Sequence, residues 1–158
     1  MKKKLIIIIP VFNEEKLIKE AIYDWIDLNK KIELDIIINN DGSTDKSINI
    51  IMDLADKYSF IKFIDKKNEG HGKSIIKGYK YAIDNNYEYI FQTDSDLQFK
   101  SKDFHKLWDK KILSNELILG YRKKRHDSFL RVFLSKVWLK LFIFIISQKL
   151  LKDPNVPY

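Results

Sequence analysis

Along this chain, short runs of branched apolar residues stop abruptly at polar clusters and give way to stretches with helical spacing. The apolar runs predict strands at Lys4–Val11, Leu34–Ile38, Ile61–Ile64, Tyr87–Gln92 and Glu116–Leu119. Between them, periodic apolar positions predict helices at Glu14–Leu28, Thr44–Lys57, Gly72–Asn85, Lys102–Leu113 and Ser128–Leu151. Strands that alternate with helices and read as near-continuous Ile and Leu, not as apolar-polar alternation, imply an α/β fold with a mostly parallel sheet covered on both faces. Ligands of such sheets bind beyond the carboxyl ends of the strands. The polar clusters fall there: Asn13-Glu14, Asn39 to Ser43, Asn68 to Lys73, Asp94 to Gln98 and Gly120-Tyr121-Arg122 follow the five predicted strands in order.

Composition narrows the class. At 158 residues, 45% hydrophobic and 13% aromatic, the chain suits one domain with a real core and excludes disorder. With no cysteine there is no disulfide framework, thiolate zinc site or thiol nucleophile. The start, Met1-Lys2-Lys3-Lys4 before five apolar residues and Pro10, reads as a buried first strand, not a signal peptide. The net charge of +7 is concentrated late, with 14 Lys/Arg against 4 Asp/Glu in residues 100–152. Nucleic acid is not the expected partner, because aromatics are not interleaved with these charges as a stacking platform requires. The basic residues instead coincide with the apolar stretch Phe129–Lys152, which reads either as a core helix or as a helix lying in a membrane interface. Its longest uncharged run, Leu141–Gln148, is too short to span a bilayer, which takes roughly 20 residues.

The candidate chemistry sits in the clusters. Asp94 and Asp96 leave the fourth strand at i and i+2, which on extended chain points both carboxylates the same way. With the Gln98 carbonyl they offer three hard oxygen donors suited to Mg²⁺ or Mn²⁺. Asn13 can cap the following helix, or contact a nucleoside, or do both. Asp41 stands one residue before the Gly42 turn, too early to cap the helix that Ser43 or Thr44 would start. A carboxylate there can accept the imide N–H of uracil or the N1/N2 hydrogens of guanine. Asn68-Glu69-Gly70-His71-Gly72-Lys73 matches neither the Walker nor the dinucleotide fingerprint, but a glycine-rich helix start carrying Lys73 suits an anion. His71 reads as a loop residue, and His105 and His126 have no evident partners. Arg122 reads either as part of a solvated basic loop or, with Arg131 about a turn into the next helix, as a cation facing a diphosphate.

Taken together, these motifs resemble glycosyltransferase family 2, with its GT-A fold, and within it the polyprenyl-phosphate branch typified by dolichyl-phosphate mannose synthase. The matching residues are Pro-Val-Phe-Asn-Glu-Glu at 10–15, Asn-Asp-Gly-Ser-Thr-Asp at 40–45, Asn-Glu-Gly-His-Gly-Lys at 68–73, Asp-Ser-Asp-Leu-Gln at 94–98, Gly-Tyr-Arg at 120–122 with Arg131 and Ser135, and Asp-Pro-Asn-Val-Pro-Tyr at 153–158. The resemblance implies a GT-A, Rossmann-like sheet flanked by helices and a single catalytic domain over 1–158. Residues 1–100 would form its nucleotide-binding half, and 101–158 would begin the acceptor- and membrane-proximal half. It implies that Pro10, Phe12, Glu14 and Asp41 hold the nucleoside with Asp94 near the ribose, and that Asp96 and Gln98 bind the metal bridging the diphosphate. Arg122 and Arg131 would contact phosphates. The implied partners are a nucleotide-sugar donor and a polyprenyl phosphate on the cytoplasmic side of the membrane, in cell-envelope biosynthesis, with peripheral contact through 129–152. The alternative acceptor is a sugar hydroxyl, for which Asp153 is the late carboxylate available as a base. Self-association into a homo-oligomer stays open. The chain stops at Tyr158 inside a motif that lies near the acceptor site in the family, so a truncated piece of a longer enzyme is expected.

Overall fold

The computed structural model describes residues 5–111 together with Val137 and Trp138, which are helical. The chain divides into units Met1–Ile118 and Leu119–Tyr158, and every element below lies in the first. In order these are β1 (Leu5–Val11), α1 (Ile18–Asn29), β2 (Leu34–Asn40), α2 (Ser47–Lys57), β3 (Ile61–Asp65), α3 (His71–Asp84), β4 (Tyr89–Gln92) and α4 (Ser101–Lys111). The predicted strand at Glu116–Leu119 and helix at Ser128–Leu151 fall outside the described residues, the pair 137–138 excepted.

The four strands form one sheet in the order β3-β2-β1-β4, and every pairing is parallel. Side-chain alternation splits the core in two. Leu5, Ile7, Ile9, Leu34, Ile36, Ile38 and Ile61 face α1, α2 and α4, packing on Ile18, Ile22, Trp25, Ile51, Leu54 and Phe104. Ile6, Ile8 and Ile37 face the other way, with Ala82 of α3 and Tyr87. Both faces of β1 and β2 are thus buried, which is why their sequences carry almost no polar residue until the last turn of chain. On the three-helix face, aromatic rings join α1, α4 and β4. Phe91 meets Phe104 at 4.8 Å between ring centroids, and Trp25 meets Phe104 at 5.7 Å.

The helix starts differ from the sequence expectation. α1 begins at Ile18, not Glu14, and α2 at Ser47, not Thr44; neither start carries a side-chain cap. The residues that looked like caps are committed elsewhere. β2 also runs two residues further than expected, because its terminal asparagines find partners inside. Asn39 Nδ2 donates to the Ser74 carbonyl at 2.8 Å, and Asn40 Nδ2 donates to Asp65 Oδ1 at 2.7 Å.

Gly78 shows how closely α3 approaches the sheet. A Cβ there would lie 2.4 Å from Ile8 Cγ2 and 2.7 Å from Asn39 Nδ2. Helix propensity alone would make Gly78→Ala stabilising by up to about 1 kcal/mol. The opposite sign is expected, a loss of about 1–3 kcal/mol from overpacking, measured by urea denaturation. A stabilised variant would show that α3 has room to move off the sheet.

Candidate active site

The connectivity places the site. From β1 the chain winds outward through β2 to β3, then returns to the other side of β1 as β4. The switch point therefore lies between the carboxyl ends of β1 and β4, where open α/β sheets bind ligands. Pairing of β4 with β1 ends at Gln92 opposite Ile8, with Thr93 N donating to the Ile8 carbonyl at 3.1 Å. Two residues on, the same side of β1 presents Pro10, which has no N–H to continue the ladder. The strands part there, and a cleft of about 340 Å³ opens. It is lined by Pro10, Val11, Phe12 and Glu14 from the end of β1, Asp41 from β2, Asn68, Gly70, His71 and Ser74 at the start of α3, and Asp94, Ser95 and Asp96 after β4.

One wall is built by a clasp between the loops after β1 and β2. Asn13 N donates to Ser43 Oγ at 2.9 Å, Glu14 N to Ser47 Oγ at 2.8 Å and Glu15 N to Asp45 Oδ2 at 3.0 Å. In return Thr44 N donates to Asn13 Oδ1 at 2.8 Å and Lys46 N to Glu15 Oε2 at 3.1 Å. Asn13 is thus not the cap of α1. It sits at φ 55°, a left-handed conformation that asparagine tolerates, and its side chain serves the other loop. Asp45 also accepts from Ser47 N at 2.9 Å. Burial pushes its carboxyl up, but the bonds from Ser47 and Glu15 outweigh this and hold it below the usual range.

Asp41 forms the floor. Its side chain is 5% exposed and paired with the Lys66 ammonium, itself 7% exposed. Its Oδ1 also accepts the Glu69 N–H at 2.9 Å. Burial acts to raise its pKa, and the bonds from Lys66 and Glu69 more than reverse that, leaving the carboxyl below its ordinary value. Lys66 contacts Glu69 Oε2 at 3.5 Å, and Glu69 in turn binds Lys77 of α3 at 2.6 Å. Gly42 completes this packing: at φ 73° it lets the turn pass so close that a Cβ would sit 2.6 Å from Asn68 N.

The fourth cluster is not extended strand as expected. The strand ends at Gln92 and residues 95–99 form bends, Leu97 stands at φ 60°, and Asp96 Oδ1 accepts Gln98 N at 3.0 Å. Asp94 and Asp96 nevertheless both border the cleft, because the alternation persists: Thr93 and Ser95 are buried while Asp94 and Asp96 are exposed and half-exposed. His71, expected to be an uncommitted loop residue, opens α3 with Nε2 3.7 Å from Asp94 Oδ1. Glu14 completes an acidic rim. Burial raises its pKa first, and the charges of Asp96 and Asp45 raise it further. Among the described residues, no three His, Cys, Asp or Glu side chains stand close enough to hold a metal by themselves.

Of the residues picked out by sequence, the cleft gathers Pro10, Phe12, Glu14, Asp41, Asp94 and Asp96. Gln98 and Lys73 are exposed near it without lining it. Arg122, Arg131 and Asp153 lie outside the described residues. Asn68 and Ser74 bound the glycine-rich loop singled out in sequence and line the cleft, whereas Lys66 was not anticipated. Lys66 reads in sequence as a solvated lysine beside Lys67, and only the parallel register that sets Asn40 against Asp65 reveals its place.

A parallel α/β domain whose acidic cleft opens at the switch point belongs to the GT-A, Rossmann-like class of folds. Solved structures agree in fold. The mannosyltransferase PcManGT of Pyrobaculum calidifontis, in complex with GDP-Man and Mn²⁺, superposes with a TM-score of 0.58 at 15% identity over 73% of this chain and 34% of that one. S. aureus TarS residues 1–349 in complex with UDP gives 0.59 at 20% identity over 79% and 38%. The sequence profile of Glycosyl transferase family 2 matches residues 6–157, and the chain belongs to that family. It is 34% identical over 152 residues to an uncharacterized protein, MJ0544, of Methanocaldococcus jannaschii, and 32% identical over 148 residues to a Bacillus subtilis protein named as a glycosyltransferase, CsbB. The match takes in 92% and 89% of this chain but only 65% and 43% of those relatives. Among the described residues, no helix is long and apolar enough to cross a membrane.

Asp41→Asn should leave the Lys66 ammonium buried without its counter-charge, at an expected loss of about 3–5 kcal/mol. Because the Asp41 pKa is lowered on folding, its contribution is complete above the ordinary aspartate value of 3.8 and disappears as pH falls through the lowered one. The stability gap between wild type and variant in urea titrations should therefore shrink between about pH 5 and pH 2. A gap that stays constant over that window would contradict the pairing.

Proposed function

We propose that the chain is the catalytic part of an inverting, metal-dependent hexosyltransferase that moves a sugar from a UDP- or GDP-sugar to a polyprenyl phosphate at the cytoplasmic membrane surface. The observation that carries this reading is the cleft at the β1–β4 switch point, with Phe12 and Asp41 on one side and Asp94 and Asp96 on the other, in a chain of this family. The solved relatives named with GDP-Man and Mn²⁺, and with UDP, support the donor class.

In this proposal the nucleobase lies against Phe12, which is 48% exposed at the cleft lip, and presents an N–H to Asp41. The bonds from Lys66 and the Glu69 N–H fall on Oδ1 and the Ser74 hydroxyl also stabilises the carboxylate, which has acceptor capacity beyond these for a ligand. Pro10 and Glu14 border the nucleoside, and Asp94 takes the ribose. The donor set fits a divalent cation: Asp94 and Asp96 are hard carboxylate ligands that border the same cleft as Glu14, whose pKa is raised first by burial and then by the charges of Asp96 and Asp45. Asp94 and Asp96, with Gln98 beside them, would hold Mg²⁺ or Mn²⁺, which when bound neutralises charge developing on the departing diphosphate. Lys73, at the exposed start of α3, and Arg122 and Arg131 supply cations to the phosphates. The attacking oxygen of a polyprenyl phosphate is already ionised near neutral pH and needs no general base, whereas a sugar hydroxyl would require one, a role for Asp153. Residues 129–152 provide peripheral membrane contact, and the domain as a whole divides near residue 100 into donor and acceptor halves.

Asp96→Ala in the full-length enzyme should lower transfer by about 10²–10³ while leaving the melting temperature within a few degrees of wild type. Radiolabelled UDP- and GDP-sugars assayed against a polyprenyl phosphate and against oligosaccharides, with and without Mn²⁺, decide the acceptor. Unchanged turnover in the variant would overturn the cation assignment, and product only with oligosaccharide would establish glycan extension instead.

A further inference from the structure

Behind the cleft floor lies an ion pair whose presence stability does not explain. Lys66 and Asp41 are both nearly inaccessible to solvent. Removing two charges from water offsets most of their attraction, and an apolar pair of similar volume would join β2 to the segment after β3 as well or better. The segment is already tied there, by Lys66 N donating to the Asn40 carbonyl at 3.2 Å and by the close packing of Gly42 on Asn68. What the pair changes is the state of Asp41. Burial alone pushes that carboxyl toward its protonated form, and Lys66 is the largest influence opposing it.

We infer that Lys66 is a positioning residue that fixes the Asp41 carboxylate on the cleft floor as an acceptor, so that the site selects bases presenting a ring N–H. The inference rests on the nucleotide-sugar reading above. Lys66 and the Glu69 N–H both engage Oδ1 and the Ser74 hydroxyl also stabilises the carboxylate, which holds the group in place while its remaining acceptor capacity serves the ligand. An ionised carboxylate can only accept. Uracil at N3 and guanine at N1 carry the hydrogen it needs, whereas cytosine at N3 and adenine at N1 present a lone pair that it repels. Without Lys66 the buried carboxyl takes up a proton and becomes a donor, which suits the opposite edge. The other charged groups nearby are Glu69, held by Lys77, and across the cleft Glu14, His71, Asp94 and Asp96. Three of these four are acidic, so they reinforce protonation once Lys66 is gone.

The test is calorimetric binding of UDP, GDP, CDP and ADP to the full chain with Mn²⁺, between pH 5.5 and 8, for wild type, Lys66→Met and Lys66→Arg. Wild type should bind UDP or GDP at least about tenfold tighter than CDP and ADP, with a ratio flat in pH. Lys66→Met should bring the ratio near one at low pH and recover part of it as pH rises and the carboxyl ionises; Lys66→Arg should keep the wild-type ratio. If Lys66→Met does not fold, the double variant Asp41→Asn/Lys66→Met, which leaves no charge buried alone, should fold and show a ratio near one. A folded Lys66→Met, or that double variant, with the wild-type ratio unchanged would overturn this inference alone. Wild type binding no nucleotide at all would overturn the donor reading and this inference with it.

Discussion

The clasp between the loops after β1 and β2 is the constraint on which the cleft depends. Five bonds from backbone N–H groups to side-chain oxygens cross between residues 13–15 and 43–47, donors running in both directions. A parallel sheet brings its strand ends to one edge but leaves the connecting loops to find their own partners. Here each loop supplies what the other lacks: free N–H groups at the start of one helix meet oxygen side chains before the other. The exchange holds Phe12 and Glu14 in place at the rim, and it explains why neither α1 nor α2 has a side-chain cap of its own. A residue that appears to serve its own helix can be spent on its neighbour's.

Sequence made the sheet legible because physical demand on β1 and β2 is severe. A strand buried on both faces admits almost nothing but Ile, Leu and Val, and Leu5 to Ile9 and Ile36 to Ile38 obey that. Helix boundaries were less legible for the reason just given: Asn13 and Ser43 carry cap chemistry, yet their bonds span about thirty residues, and no local rule shows that. Asp94 and Asp96 were found through their place at a strand end, although the extended geometry invoked for them gives way to bends. What reached the cleft was the alternation of buried and exposed positions, which survives the loss of regular strand.

Lys66 marks the other limit. In the run Asp65-Lys66-Lys67, every charge has the composition of a solvated loop. Its burial arises from two facts that no window of sequence contains: β3 lies beside β2 in register with Asn40, and Gly42 lets the two chains close to contact distance. Asp41 alone was visible as a polar residue where an apolar run stops. Its partner was not, and the partner decides whether that carboxyl is charged.

Asp41 is balanced by Lys66, and Asp94 has His71 at 3.7 Å, but Glu14 borders the same space as Asp96, and its pKa is raised first by burial and then by that neighbour. A diphosphate entering alone would meet a rim of its own sign at distances where screening is incomplete. A divalent cation removes that obstacle by neutralising carboxylates and phosphates together, so that donor and metal gain from arriving as one unit. In the proposed function the acidic rim would tie donor affinity to cation concentration.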